Sequence, residues 1–131
     1  MYGYNGKNEK NGVFDMILSG KEISLREPNQ LRTPIFVEDV PRIMFELIKK
    51  NQTGIFHLAE PNELTMLEFL KNLESLIRKN SIVSARKPNG GIQKKIPYNA
   101  TFDTSKVEKF GIKFTPIKDG LKIMKIQLED N

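Results

Sequence analysis

The chain has 131 residues, 38% hydrophobic and 28% charged, with no cysteine, which excludes disulfide scaffolds, cysteine nucleophiles and thiolate metal sites, and with a single histidine, which argues against a histidine-based zinc site or catalytic triad. One domain spanning 1–131 is expected, with no membrane partner and a cytoplasmic location, because no apolar run approaches the ~20 residues of a membrane span and the start lacks a signal stretch. The net charge of +5 is uneven: residues 78–125 hold twelve Lys/Arg against three Asp/Glu, which favours an anionic partner over a neutral one.

Val13, Phe14, Ile17 and Leu18 recur at helical spacing before Gly20, a natural helix stop. Ile23 and Leu25 mark a strand, the Glu27-Pro-Asn29 turn follows, and Leu31 to Val37 reads as a second extended stretch. After Asp39, the stripe Val40, Ile43, Met44, Leu47 and Ile48 predicts a helix ending at Lys49-Lys-Asn51, with Pro41 in its first turn.

Gly54-Ile-Phe-His-Leu-Ala59 is almost wholly apolar, as expected of a central strand buried on both faces, with His57 as a core histidine. Thr65 and Glu68 predict a capping box for a helix with Phe69, Leu70, Leu73, Leu76 and Ile77 on its inner stripe. A loop or short strand at Ser81 to Ala85 leads into the flexible Lys87-Pro-Asn-Gly-Gly91. Asp103 can cap a short helix closed by Gly111, leaving Lys106 solvated, and Thr115-Pro116 opens the last helix. Phe102, Phe110 and Phe114 are expected in the core. The order is α/β, with few strands to carry five helices, as in a piece of a larger fold.

No strand ends in suitably spaced glycines, and no tyrosine is followed four residues later by lysine, so neither a phosphate-binding glycine loop nor a Tyr/Lys proton relay is present. The pairs Glu38-Asp39 and Glu60/Glu63 read as helix-start acids rather than acid/base machinery. No catalytic residue is predicted.

Asn29-Gln-Leu-Arg-Thr-Pro-Ile-Phe-Val-Glu-Asp39, then Thr53-Gly-Ile-Phe-His-Leu-Ala59, Leu64-Thr65 and Phe102-Asp-Thr-Ser-Lys106 with Phe110-Gly-Ile112 form an ordered set. Together they resemble the C-terminal, substrate-binding half of the extended short-chain dehydrogenases/reductases, most closely the dTDP-4-dehydrorhamnose reductase branch. The resemblance implies a small α/β substrate-binding region normally packed on a Rossmann domain that is missing from this chain. It implies a nucleotide-diphosphate sugar as ligand and NAD(P)H for the intact fold, with no cofactor or metal site in these residues. The family pattern Arg-x-x-Ile-x-Val-x-Asp is matched by Arg32, Ile35, Val37 and Asp39, which makes Arg32 the diphosphate arginine. Lys94 and Lys95 stand beside the place where the branch has a second cation, with Gln30 and Tyr98 as polar and stacking neighbours. The expected partners are the missing Rossmann half or a second copy, meeting at the 55–58 strand. The alternatives are a free-standing regulatory module, since the branch also includes a regulatory subunit, and a small basic nucleic-acid binder.

Overall fold

A computed structural model describes residues 1–3, 13–77, 80–86 and 97–130. The chain divides into two compact units, each assembled from separated segments: unit 1 from residues 1–4, 33–63 and 101–131, and unit 2 from residues 5–32 and 64–100.

Unit 2 holds α1 (Val13–Ser19), β1 (Ile23–Leu25), β2 (Leu31–Arg32), β3 (Leu64–Thr65), α3 (Met66–Ile77), β4 (Val83–Ala85) and β5 (Asn99–Ala100). β1 pairs in parallel with β4, placing Ile23 opposite Val83. Among the described residues of this unit, Ile17, Ile23, Leu70, Leu73 and Val83 are the buried apolar ones. α3 turns its expected stripe inward, whereas of the α1 stripe Ile17 is buried and Val13 and Leu18 are exposed, because a helix of seven residues has room for little more than one turn against the sheet. The capping box is present: the Glu68 amide donates to Thr65 Oγ1 at 3.1 Å, and the Thr65 amide donates to Glu68 Oε2 at 2.8 Å. Glu74 of α3 is buried and unlike a surface acid. Its carboxylate accepts from the Ile82 amide, from the Val83 amide at 2.8 Å and from Ser81 Oγ at 3.3 Å, tying α3 to the entry of β4.

Unit 1 holds α2 (Asp39–Lys49), α4 (Ser105–Glu108) and α5 (Ile117–Glu129). Tyr2 bridges to Phe36 in parallel, its amide donating to Ile35 O and its carbonyl accepting from Val37 N. The extended stretch expected from Leu31 to Val37 is thus interrupted, Leu31 and Arg32 pairing in one place and Phe36 in another, with Pro34, which has no N–H to give a ladder, between them. Ile35, Ile43, Leu47 and Val107 form a buried cluster, with Phe56, Leu58, Phe110 and Phe114 packed against it. Buried Asp39 holds this unit across 76 residues, accepting from the Thr115 amide at 2.7 Å, from Thr115 Oγ1 at 2.8 Å and from Arg42 Nη2 at 2.7 Å. Gly120 of α5 lies against the Tyr2 ring, where a Cβ would collide with the phenol oxygen.

Residues 54–59 correct the expectation of a doubly buried strand. They adopt no strand, Ile55 is 81% exposed and His57 is exposed rather than a core histidine. The reason is alternation: Phe56 and Leu58 turn to the cluster around Ile43, which leaves Ile55 and His57 outward. No strand among the described residues pairs with this segment. Phe102 also departs from its expected core place; it is exposed, with its ring 5.2 Å from that of His57. Lys106 is engaged as well as solvated, its Nζ donating to Ile55 O at 2.8 Å and sitting 4.0 Å from the Phe56 ring centre. The flexible stretch 87–91 lies outside the described residues. Among the described residues, no helix is long and apolar enough to cross a membrane.

Candidate anion-binding site

The site grows from a sheet of three short strands in unit 2, ordered β3-β2-β5. β2 is antiparallel to β3 and parallel to β5, with Arg32 opposite Leu64 on one side and Ala100 on the other. Residues two apart on extended chain share a face, so Gln30 and Arg32 project together. The guanidinium donates through Nε at 3.0 Å and through Nη2 at 2.7 Å to the same oxygen, Gln30 Oε1. Gln30 is buried, and its Nε2 donates to Pro97 O at 2.7 Å. Its backbone is pinned too, the carbonyl accepting from Met66 N and the amide donating to Glu27 O.

This clamp is neutral. A carboxylate in the place of Gln30 would hold the guanidinium equally well but cancel its charge, whereas an amide oxygen leaves it whole. Arg32 forms no salt bridge among the described residues, and its side chain is exposed. Three of its five N–H donors remain beyond the two given to Gln30. A planar cation with spare paired donors, fixed in orientation, suits phosphate oxygens. Unit 2 reinforces it with twelve Lys/Arg against six Asp/Glu, while unit 1 has nine against ten.

Tyr98 is carried to the same place by the sheet, since its carbonyl accepts from Leu31 N at 2.9 Å and its ring is 66% exposed. The structure thus brings Arg32, Gln30 and Tyr98 together. Lys94 and Lys95 lie outside the described residues. The clamp itself was not apparent in the sequence, although its signal was there in the i, i+2 spacing of a long amide and an arginine. Asp39, the last position of the arginine motif, accepts hydrogen bonds from Arg42 and Thr115 within unit 1.

Unit 1 holds buried ionisable groups of another kind. Glu60 is buried rather than capping a helix; burial raises its pKa against the lowering effect of hydrogen bonds from Asn62. Burial, followed by the negative charges of Glu60, Asp39 and Asp119, pushes the Tyr2 phenol well above its usual range. Such a phenol is a poor proton donor. The residues described do not fit a nicotinamide dinucleotide: the positive-φ glycines Gly20, Gly54 and Gly111 occupy helix ends and a turn, and none opens a helix after a strand. Among the described residues no acidic or histidine cluster is arranged for a metal ion.

The fold is that of nucleotide-sugar enzymes. The chain superposes over 96% of its length on a dTDP-4-dehydrorhamnose reductase from Bacillus anthracis in complex with NADP, at TM-score 0.72 and 25% identity. It superposes over 98% on a UDP-glucose 4-epimerase from Thermotoga maritima with UDP-glucose, at 0.70 and 17%, and over 91% on a dTDP-glucose 4,6-dehydratase from B. anthracis with NAD, at 0.70 and 16%. The chain spans 45%, 43% and 38% of those proteins, respectively. It matches no protein-family model, and no curated protein sequence matches it. Its architecture is therefore the one found in part of the NAD-dependent epimerase/dehydratase class of extended short-chain dehydrogenases/reductases. Its likeness to the dTDP-4-dehydrorhamnose reductase is to part of that protein, and that is the branch its motifs resemble.

Proposed function

We propose that residues 1–131 act as one substrate-binding domain that holds the diphosphate of a nucleotide sugar. In this reading, a dinucleotide-binding half supplied from outside these residues completes a reductase in the cytoplasm. The observation that carries it is the Arg32 guanidinium, locked by a buried neutral amide and in no ion pair among the described residues. Lys94 and Lys95 add cations in the same basic segment, and exposed Tyr98 offers a ring for the base or sugar. NAD(P)H would supply the hydride in the completed enzyme, and the role of this chain is to bind and orient the sugar nucleotide. Exposed Ile55 and His57, on a segment that no described strand pairs, offer a contact surface to the completing half.

The chain alone is expected to bind dTDP and UDP weakly, with Kd on the order of millimolar, because a half-built pocket desolvates little of the ligand. Arg32→Ala should weaken binding roughly tenfold or more, the worth of one charge-assisted contact of roughly 1.5–3 kcal/mol, and Lys95→Ala should weaken it as well. NMR titration with dTDP, UDP and pyrophosphate reads both, and unchanged affinity in the two variants rejects the site. No NADPH oxidation with a nucleotide 4-keto-sugar is expected from the chain alone; measurable turnover would overturn the division of labour. Tighter binding of a short oligonucleotide, with steep salt dependence, would instead favour a nucleic-acid role for basic unit 2.

A further inference from the structure

Helix α2 is apolar on two opposite faces, and unit 1 uses one of them. Ile43 and Leu47 are buried in the cluster with Ile35 and Val107. On the far side, Pro41, Met44, Phe45 and Ile48 stand at i, i+3, i+4 and i+7, the spacing of a packed stripe, yet Met44 is 51%, Phe45 61% and Ile48 66% exposed. A helix of a monomeric protein ordinarily keeps this face polar.

The charges beside the stripe indicate what covers it. Along the flank next to Phe45 run Glu38, Arg42, Glu46 and Lys49, at spacings of four, four and three, so their signs alternate along the helix. Read in reverse, the series has the opposite signs. An antiparallel second copy, related by a two-fold axis across the stripe, brings the same flank of each helix face to face. Glu38 then lies opposite Lys49 of the other copy, and Arg42 opposite Glu46, each pairing occurring twice. Antiparallel helix dipoles add to the attraction, and nearly neutral unit 1 opposes it little.

We propose that α2 is a self-association face, on which two copies of the chain pack antiparallel through Pro41, Met44, Phe45 and Ile48. The proposal is independent of the Arg32 reading, since that residue belongs to the other unit. A helix of 11 residues is about 16 Å long, so the contact falls below the ~1,200 Å² of a standard interface and the dimer is concentration-dependent.

Sedimentation equilibrium of the purified chain, from micromolar to millimolar concentration, tests it. The mass is expected to rise from 15.0 kDa toward twice that value. Phe45→Glu and Ile48→Lys, both at exposed positions, should stay monomeric with unchanged circular dichroism. Glu38 also accepts from Gln127 Nε2 at 2.7 Å, so Glu38→Lys is paired with a rescue: alone it should weaken association several-fold, and adding Lys49→Glu should restore it. A wild-type chain that is monomeric throughout, or dimers indifferent to Phe45→Glu, would overturn the proposal. Failure of Lys49→Glu to rescue overturns the antiparallel arrangement. Capture of a strictly monomeric chain by phosphatidylserine vesicles would assign the stripe to a lipid surface and overturn it too.

Discussion

Replacing Asp39 by alanine should cost about 3 kcal/mol or more, a large share of the roughly 5–15 kcal/mol that holds a domain of this size. The carboxylate is buried and serves three donors at once: the Thr115 amide, its hydroxyl and Arg42. Alanine would return Arg42 to water, since its side chain is already half exposed, but it would strand the Thr115 amide at the entry to α5. Urea unfolding followed by circular dichroism measures the loss. The same group predicts an acid limb. Burial works to raise the Asp39 pKa, but hydrogen bonds from Arg42 and Thr115 outweigh it and hold the carboxyl below its usual range. Its stabilising contribution is complete above the unfolded value of about 3.9 and is lost as pH falls through the lower folded value. Asp39→Asn should be less stable at neutral pH and show a shallower decline below pH 4.

Glu74→Ala should have the second largest effect, about 2–3 kcal/mol, because two adjacent backbone amides, Ile82 and Val83, would lose their acceptor together. Amide exchange gives the local readout: protection at Ile82 and Val83 should fall well before protection in α2. Glu74→Gln retains one carbonyl oxygen and should recover part of the loss. Equal stability of the alanine variant and wild type would mean that water replaces the carboxylate.

These two acids mark the boundary of what the sequence conveyed. Local signals were legible: the Thr65 and Glu68 box appears as expected, Gly20 and Gly111 adopt positive φ after α1 and α4, and the stripe expected of α2 buries Ile43 and Leu47 while leaving Met44 and Ile48 exposed. Each is encoded within a few residues. Partners separated by 76 residues, as for Asp39 and Thr115, leave no such pattern. Residues 54–59 were misread for a related reason: an apolar run is consistent with a buried strand, but a strand requires a neighbour, and the sequence does not say whether one is at hand. Arg32 and Gln30 were legible as a pair of residue types in a motif. Their mutual geometry depended on β2 lying between β3 and β5, and the two residues of β5 carried no signal of their own.

The interleaving of the two units has a consequence for biosynthesis and for recombination. The chain passes between them four times, and unit 1 takes its last segment from residues 101–131. Neither unit is a contiguous stretch, so no single cut isolates one, and a crossover within residues 33–63 or 64–100 would split a core rather than exchange a cassette. On the ribosome, Tyr2 and α2 must wait for α5 before Asp39 meets Thr115, long after α1 has emerged. Loops of that length close slowly, which leaves Ile43, Leu47, Phe56 and Leu58 without Val107 and Phe110 over them during synthesis and favours chaperone capture at that stage.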